Sequence, residues 1–393
     1  MNLQRSFLFL YAKQSNTFLV ALALIVCTFA ASSLPAFAQD AADVAKPAMA
    51  AAVWVEKLDA SGNTVKRSSG FVVKDGRVAT SFRSIDGAMS LKLIFSDGKE
   101  VRTDQIAGLN RYQDWVLIPL EDKSRPGLTL VSKKSSAGDH CYWLEVKPDG
   151  TRSVADGRVT GVTTSRPWGD RIAFSGKFSY AALGGPLLDA QGQVIGILGG
   201  ALPEAYLHEG GATAAQPATA SLAEGQQAAA HPADADDVYE GANGTAIEAS
   251  LLPQTLLAGP RALKALWDNG DMTPPVTNSK YVQSGLITSK DDAKKKGAER
   301  VGASEFKKSV GTALVVISFD KQEALKTTAQ IKIFDFENHP IAAGEVEKFS
   351  LKKGTVAEKN WDIPVSDLPA GIYRVDILIG DGIAWREYFK VAE

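Results

Sequence analysis

The chain is poor in the groups that most often carry chemistry or cross-links. Of its 393 residues two are cysteines, Cys27 and Cys141, and four are histidines. No CxxC pair, His/Glu zinc pattern or Walker-type loop is present, so neither a metal nor a nucleotide cofactor is implied, and the cofactor expectation is none. An excess of charge of one sign is also missing. The 43 Lys+Arg against 45 Asp+Glu give a formal net charge of -2, which offers no electrostatic footprint for nucleic acid. Apart from one N-terminal run, long apolar stretches are absent.

That run belongs to a segment, 1–38, that reads as an export signal. Arg5 and Lys13 precede apolar residues 18–31, and Ala36-Phe37-Ala38 supplies an A-x-A cleavage site before Gln39. The run falls short of the roughly 20 residues a spanning helix needs. Cleavage, a periplasmic or secreted product and no integral membrane segment afterwards are expected; retention as an anchor is the alternative. Val26-Cys27 lacks the small residue a lipid-attachment site places before its cysteine. Cleavage would leave Cys141 alone, with no intramolecular disulfide, so the fold must rest on its cores. No lysine or arginine adjoins Cys141 to lower its pKa, and it reads as a small buried apolar group.

With 45% hydrophobic residues the chain can bury two cores. The alanine-rich stretch 41–52 reads as a flexible lead-in. Short β-type runs follow at 52–55, 69–73, 77–80, 91–95 and 115–118, separated by Lys74-Asp75-Gly76 and Ser96-Asp97-Gly98-Lys99. This is the signature of an all-β barrel or sandwich. A second group at 141–146, 157–162, 170–174 and 194–198 repeats the style. Residues 202–243 are low in complexity, with few apolar side chains to offset ordering entropy. Pro260 to Gly270 reads as a short helix with Leu263, Leu266 and Trp267 on one face. The stretch 271–309, with Pro274-Pro275 and Lys294-Lys295-Lys296, reads as a connector.

A third β-rich series, at 312–319, 329–336, 346–351, 371–379 and 383–391, fits a small sandwich of immunoglobulin or fibronectin type over 310–393. Gly380-Asp381-Gly382 is its hairpin turn. Trp361, Tyr373, Trp385 and Phe389 are then core aromatics; a sugar-binding platform, and so a glycan partner, is the competing reading. Asn243-Gly244-Thr245 matches a glycosylation triplet.

One stretch organises the rest: Tyr180-Ala181-Ala182-Leu183-Gly184-Gly185-Pro186-Leu187-Leu188, then a reverse turn, then Val194-Ile195-Gly196-Ile197-Leu198. It resembles the nucleophile turn of the trypsin-like serine proteases, in their bacterial HtrA/Do-like branch, which writes Gly-Asn-Ser-Gly-Gly-Pro-Leu there. Ser68-Ser69-Gly70-Phe71-Val72-Val73 resembles that family's Gly-Ser-Gly-Phe-Val-Ile, and Ser84-Ile85-Asp86-Gly87-Ala88 its Val-Val-Asp-Gly-Ala. The resemblance implies a double β-barrel over 50–270 with a cleft between the barrels. Gly244-Thr245-Ala246-Ile247-Glu248 and then 251–259 resemble the closing strand and terminal helix. The stretch 202–243 is thereby implied to be an insertion in the last hairpin of the second barrel, at the rim of the substrate side-chain pocket. No PDZ-like sequence follows the barrels, a departure from the usual layout of that branch.

Hydrolysis of this type needs a serine, an imidazole to take its proton, and a carboxylate to hold the imidazole. Gln113-Asp114-Trp115-Val116-Leu117-Ile118 resembles the family's carboxylate motif and makes Asp114 the match. Counting back from Asp86-Gly87-Ala88 puts Arg83 at the base position, and a guanidinium does not deprotonate at usable pH. Leu183 stands at the nucleophile position, and Ala181 replaces a glycine of the oxyanion turn Ala181-Ala182-Leu183-Gly184. A tight turn needs Gly184, Gly185 and Pro186 whether or not chemistry occurs. His208 and His231 fall in the low-complexity stretch, His339 in the C-terminal series, and His140 next to Cys141 but on the opposite strand face. Ser175 and Ser179 read as ordinary hydrogen-bonding residues. Arg83 is expected either to pair with Asp114 or to face solvent while Asp114 bonds backbone amides.

Losing nucleophile and base together removes about 10⁶ in turnover. The reading is therefore an exported pseudoprotease that binds a peptide or protein, by strand addition in the cleft, or serves as an envelope scaffold. The alternative is an active serine-type endopeptidase with a non-standard catalytic set.

Overall fold

Three β units follow one another along the chain in this computed structural model, which describes residues 41–131, 134–147, 149–165, 169–199, 244–249, 252, 256–295, 300–319, 324–354 and 357–393. The expected signal 1–38 and insertion 202–243, and with them Cys27, His208, His231 and Asn243, lie outside the described residues.

The first unit is a sheet of β1 (Ala52–Leu58), β2 (Thr64–Val73), β3 (Arg77–Thr80), β4 (Ser90–Phe95), β5 (Glu100–Thr103), β6 (Gln105–Asn110) and β7 (Trp115–Pro119), joined at one edge by a later strand, Leu256–Ala262. The alternation that made β4 legible is physical. Leu91, Leu93 and Phe95 point into a core shared with Val53, Val55, Phe71, Val78, Trp115 and Ile118. The second unit comprises β8 (His140–Val146), β9 (Arg152–Ser165), β10 (Gly169–Phe174), β11 (Pro186–Leu188), β12 (Val194–Leu198) and β13 (Gly244–Glu248). These close into a barrel in the order β10-β13-β12-β11-β8-β9. Cys141, Trp143, Phe174, Phe178, Leu187 and Leu198 fill it. A closed six-stranded barrel beside a half-barrel sheet is the trypsin-like fold.

The edge strand of the first sheet, β14 (Leu256–Ala262), leads into the third unit: β15 (Val282–Ser289), β16 (Glu305–Lys307), β17 (Ala313–Phe319), β18 (Leu325–Asp335), β19 (Pro340–Ala343), β20 (Glu347–Leu351), β21 (Ala357–Ile363), β22 (Gly371–Ile379) and β23 (Gly382–Ala392). Strands β15-β17-β21 form one sheet and β16-β23-β22-β18-β19 the other, with β20 on β18. Trp361, Tyr373, Trp385 and Phe389 are buried between them. Tyr373 Oη donates to Pro369 O at 2.8 Å, the corner bond of immunoglobulin-like sandwiches.

Three expectations change. The stretch 41–52 is not a loose lead-in: Ala41–Ala51 is a helix, α1, because Val44, Ala45, Ala48 and Ala51 form a buried stripe at helical spacing. Ser96 Oγ donates to Ala50 O at 2.7 Å, and a Cβ at Gly192 would lie 3.2 Å from Val44 O. The end of α1 thus touches turns of both barrels. Of the stretch 251–259 expected as a terminal helix, residues 256–259 are strand: Leu256–Ala262 pairs with β6, and the helix after it, following the one-turn α2 (Phe82–Ile85), is the short α3 (Leu263–Asp268). The connector 271–309 contributes β15, α4 (Lys290–Ala293) and β16 to the sandwich. Its strand escaped notice because Gly285 breaks the apolar alternation, and the glycine is there because the Trp385 indole packs against it.

Val44–Glu393 is one compact unit, and polar bonds join sandwich to barrels within it. Asp86 Oδ1 accepts from Thr273 N at 2.8 Å. Arg386 grips Asp376 bidentately at 2.7 and 2.9 Å and donates to Pro274 O at 2.7 Å. Asn338, in the left-handed region at φ 69°, accepts from Arg374 and, at 3.2 Å, from Arg111, and donates to Gly270 O at 3.0 Å.

Glu387 on β23 is buried, and burial pushes its carboxyl up to about 7 against an opposing hydrogen bond from the Tyr388 backbone. The unfolded chain ionises this group near 4.5, so stability is full below that pH and falls until about pH 7, by roughly 3 kcal/mol. Glu387→Gln should leave urea stability unchanged near pH 4 and raise it by about that amount near pH 8.

Candidate active site

The sequence places Arg83 and Asp114 about thirty residues apart, and the fold brings them into contact. Arg83 rides on α2, directly after β3, and Asp114 ends the loop before β7 with φ 59°, a left-handed conformation that aspartate tolerates better than most side chains. Arg83 Nε stands 3.4 Å from Asp114 Oδ2, and both side chains are fully buried. Asp114 Oδ1 accepts from Ser81 Oγ at 2.8 Å and from the Arg83 amide at 2.9 Å. The pairing is therefore the arrangement found, with Arg83 buried and not facing solvent, and the guanidinium and a backbone amide lie on different oxygens of one carboxylate. Burial pushes the Asp114 carboxyl above its ordinary range; the charges of Arg83 and Arg171 and the bonds from Arg83 N and Ser81 oppose it.

Arg171 is a residue that motif reasoning missed. It sits on β10, next to Asp170, and is buried. Gly199, just beyond the end of β12, lies beside both groups: a Cβ there would be in ordinary contact with Asp114 Oδ2 at 3.5 Å and Arg171 Nη1 at 3.6 Å. Nothing in local pattern announces this neighbourhood.

Around the nucleophile position Tyr180–Ala182 forms a 3-10 turn. Ala182 N donates to Ser179 O at 3.0 Å, and Leu183 N to Tyr180 O at 3.1 Å. The Leu183 amide, which in an acyl-transfer site would face the developing oxyanion, is thus spent inside the turn. Ala181 O accepts from Ser69 Oγ at 2.9 Å, and Ser69 N donates to Leu183 O at 3.0 Å. Leu183 and Ala182 are fully buried in the core of the second barrel. Gly184, at φ 82°, lies so close to Thr80 Oγ1 and Ser69 O that any Cβ would collide with them.

The remaining candidates lie in structural bonds. Ser179 N donates to Glu145 Oε1 at 2.9 Å and its hydroxyl to Val146 O at 3.1 Å; Ser175 Oγ accepts from Arg158 N at 2.9 Å. His140 Nε2 stands 3.2 Å from Asp156 and its Nδ1 3.2 Å from Tyr142 Oη. Cys141 is buried, and burial pushes its thiol up to about 12. His339 Nδ1 stands 2.9 Å from Asp335 in the sandwich. Among the described residues no group of three or more His, Cys, Asp or Glu could hold a metal ion.

Residues 68–197 match the profile of the trypsin-like peptidase domain. The anti-sigma-I factor RsgI9 of Acetivibrio thermocellus is 29% identical over 153 residues, which cover 37% of this chain and 21% of that protein. The chain thus spans about a fifth of the length of that relative. Among solved structures, the serine endoprotease from Yersinia pestis is 16% identical with a TM-score of 0.36, covering 41% of this chain and 57% of that one. The active form of the Rv3671c protease from M. tuberculosis is 17% identical with a TM-score of 0.39, covering 62% and 89%. Its inactive form is 20% identical with a TM-score of 0.35, covering 43% and 85%.

A buried ion pair is most costly when half of it is removed. Arg83→Met should lower unfolding free energy by about 3–5 kcal/mol. Arg83→Met combined with Asp114→Asn, which neutralises the carboxylate while keeping an acceptor for Ser81, should lose less than the single change in urea denaturation.

Proposed function

We propose that this chain is an exported pseudoprotease of the HtrA/Do-like kind, with barrels over 50–270 and a sandwich over 310–393, whose interbarrel cleft binds a peptide or protein without cleaving it. The reading is carried by one observation: a fully buried Leu183 at the nucleophile position, with its amide donating to Tyr180 O. Two further features support it. The base position holds Arg83, already engaged by Asp114, and the hydroxyls of Ser69, Ser175 and Ser179 are engaged with Ala181 O, Arg158 N and Val146 O. A site without attacker or proton acceptor retains at most the small acceleration that binding supplies. The leader 1–38 supports export, and no helix among the described residues is long and apolar enough to cross a membrane.

The purified chain should neither take up a serine-directed fluorophosphonate nor hydrolyse denatured casein above a buffer blank. Robust labelling, abolished by heat denaturation, would establish the endopeptidase alternative instead. N-terminal sequencing of the protein recovered from the periplasm of a Gram-negative host should begin at Gln39; an intact Met1 in the membrane fraction would mark a retained anchor.

A further inference from the structure

The outer face of the larger sandwich sheet departs from the polarity expected of an antiparallel sheet. Along β18, Ile331 and Ile333 enter the sandwich core, while Lys332 and Phe334 point the other way; on β22 the outward residues include Asp376 and Leu378. A face turned from the core is ordinarily polar, yet Phe334 and Leu378 are apolar and only half-buried. They line a cavity of about 370 Å³, within the range of small-molecule sites. Trp267 of α3 and Pro275 line it from the segment between barrels and sandwich. Met89, just ahead of β4 and 39% exposed, lines it from the first barrel sheet. None of the lining residues belongs to the Arg83–Asp114 pair or to the degenerate turn.

The charges in the lining decide what such a cavity takes. Lys332 lies across from Asp376 in the register of β18 and β22, and Asp376 across from Arg386 on β23. Asp376 is already spent: both its oxygens are bonded to Arg386, and Oδ2 also meets Arg374 Nε at 3.3 Å. The two arginines share the charges of Asp376 and Asp86, so cations and carboxylates there match in number. Lys332 is the surplus cation. It makes no hydrogen bond or ion pair among the described residues, and its ammonium is not one of their buried unpaired atoms, so it reaches open space. The other acidic lining residue, Asp381, is exposed at the tip of the β22–β23 hairpin, five residues past Asp376 and roughly 16 Å along the strand. An apolar cavity with a free cation toward one end and a carboxylate toward the other orients a ligand that carries one negative charge.

We propose that this cavity binds a small monocarboxylate with an apolar body, its carboxylate on the Lys332 ammonium and its hydrocarbon against Trp267, Phe334 and Leu378. A lysine serves a carboxylate as a point charge, without the two-pronged geometry of a guanidinium. The apolar body, removed from water, therefore supplies most of the affinity, and the ammonium supplies the preference for acid. The site is independent of what the cleft between the barrels does, and its test does not depend on the absence of peptidase activity.

The test titrates the full chain by isothermal calorimetry with sodium octanoate, sodium 2-naphthoate, 1-octanol and octylammonium chloride at constant ionic strength. The tighter of the two acids should bind about tenfold more tightly than octanol, and its identity tells a chain from a ring. Lys332→Gln should remove the preference for acid and leave the thermal unfolding temperature unchanged, because the lysine holds no partner. Lys332→Arg, which keeps the charge, should retain the preference. Leu378→Trp, which fills the cavity from an outward-facing position, should abolish binding of both acids. No binding of either acid at millimolar concentration, equal binding of acid and alcohol, or tight binding of octylammonium would each overturn the proposal. So would an acid preference that survives Lys332→Gln, or acid binding undiminished in folded Leu378→Trp protein.

Discussion

The structure turns on a carboxylate that has no access to water. Asp114 sits between the barrels with its two oxygens divided among a hydroxyl, a backbone amide and a guanidinium. A negative charge in that position has to be matched, and the chain does so with Arg83 from one barrel and Arg171 from the other. This explains why residues far apart in sequence and without a common motif are found together. It also ties the one-turn helix that carries Arg83 to the loop before β7, so the carboxylate acts as a structural joint.

The end of the same helix is held by the segment that leads into the C-terminal sandwich. Asp86 follows α2 directly and accepts from Thr273, while Arg386 ties Asp376 to Pro274. These bonds bring the sandwich into one compact unit with the barrels. The turn between the barrels is packed and bonded throughout, from Leu183 in the core of the second barrel to Ser179 on Glu145.

Much of this was legible before any coordinates. Strands with strict alternation or with tight glycine turns, such as Leu91 to Phe95 and the hairpin at Asp381, were read at close to their true extent because burial on one face imposes a period of two. The contact between Arg83 and Asp114 was one of the arrangements that local motifs led one to expect. The strands that escaped are those whose reason is tertiary: Val282–Ser289 interrupted by a glycine under Trp385, Leu256–Ala262 paired with a partner 150 residues earlier, and an alanine-rich helix that looked featureless until its stripe met the barrels. Arg171 was invisible for the same reason, since a buried cation is defined by what surrounds it in space.

Leu183 sets what its own position can accept. Its side chain is part of the second barrel's core, and its peptide group closes a 3-10 turn. A hydroxyl in its place would open a void and strand a polar atom in an apolar interior. At this point of the chain the demand for packing and the demand for a reactive side chain exclude one another, and packing is the one the fold satisfies.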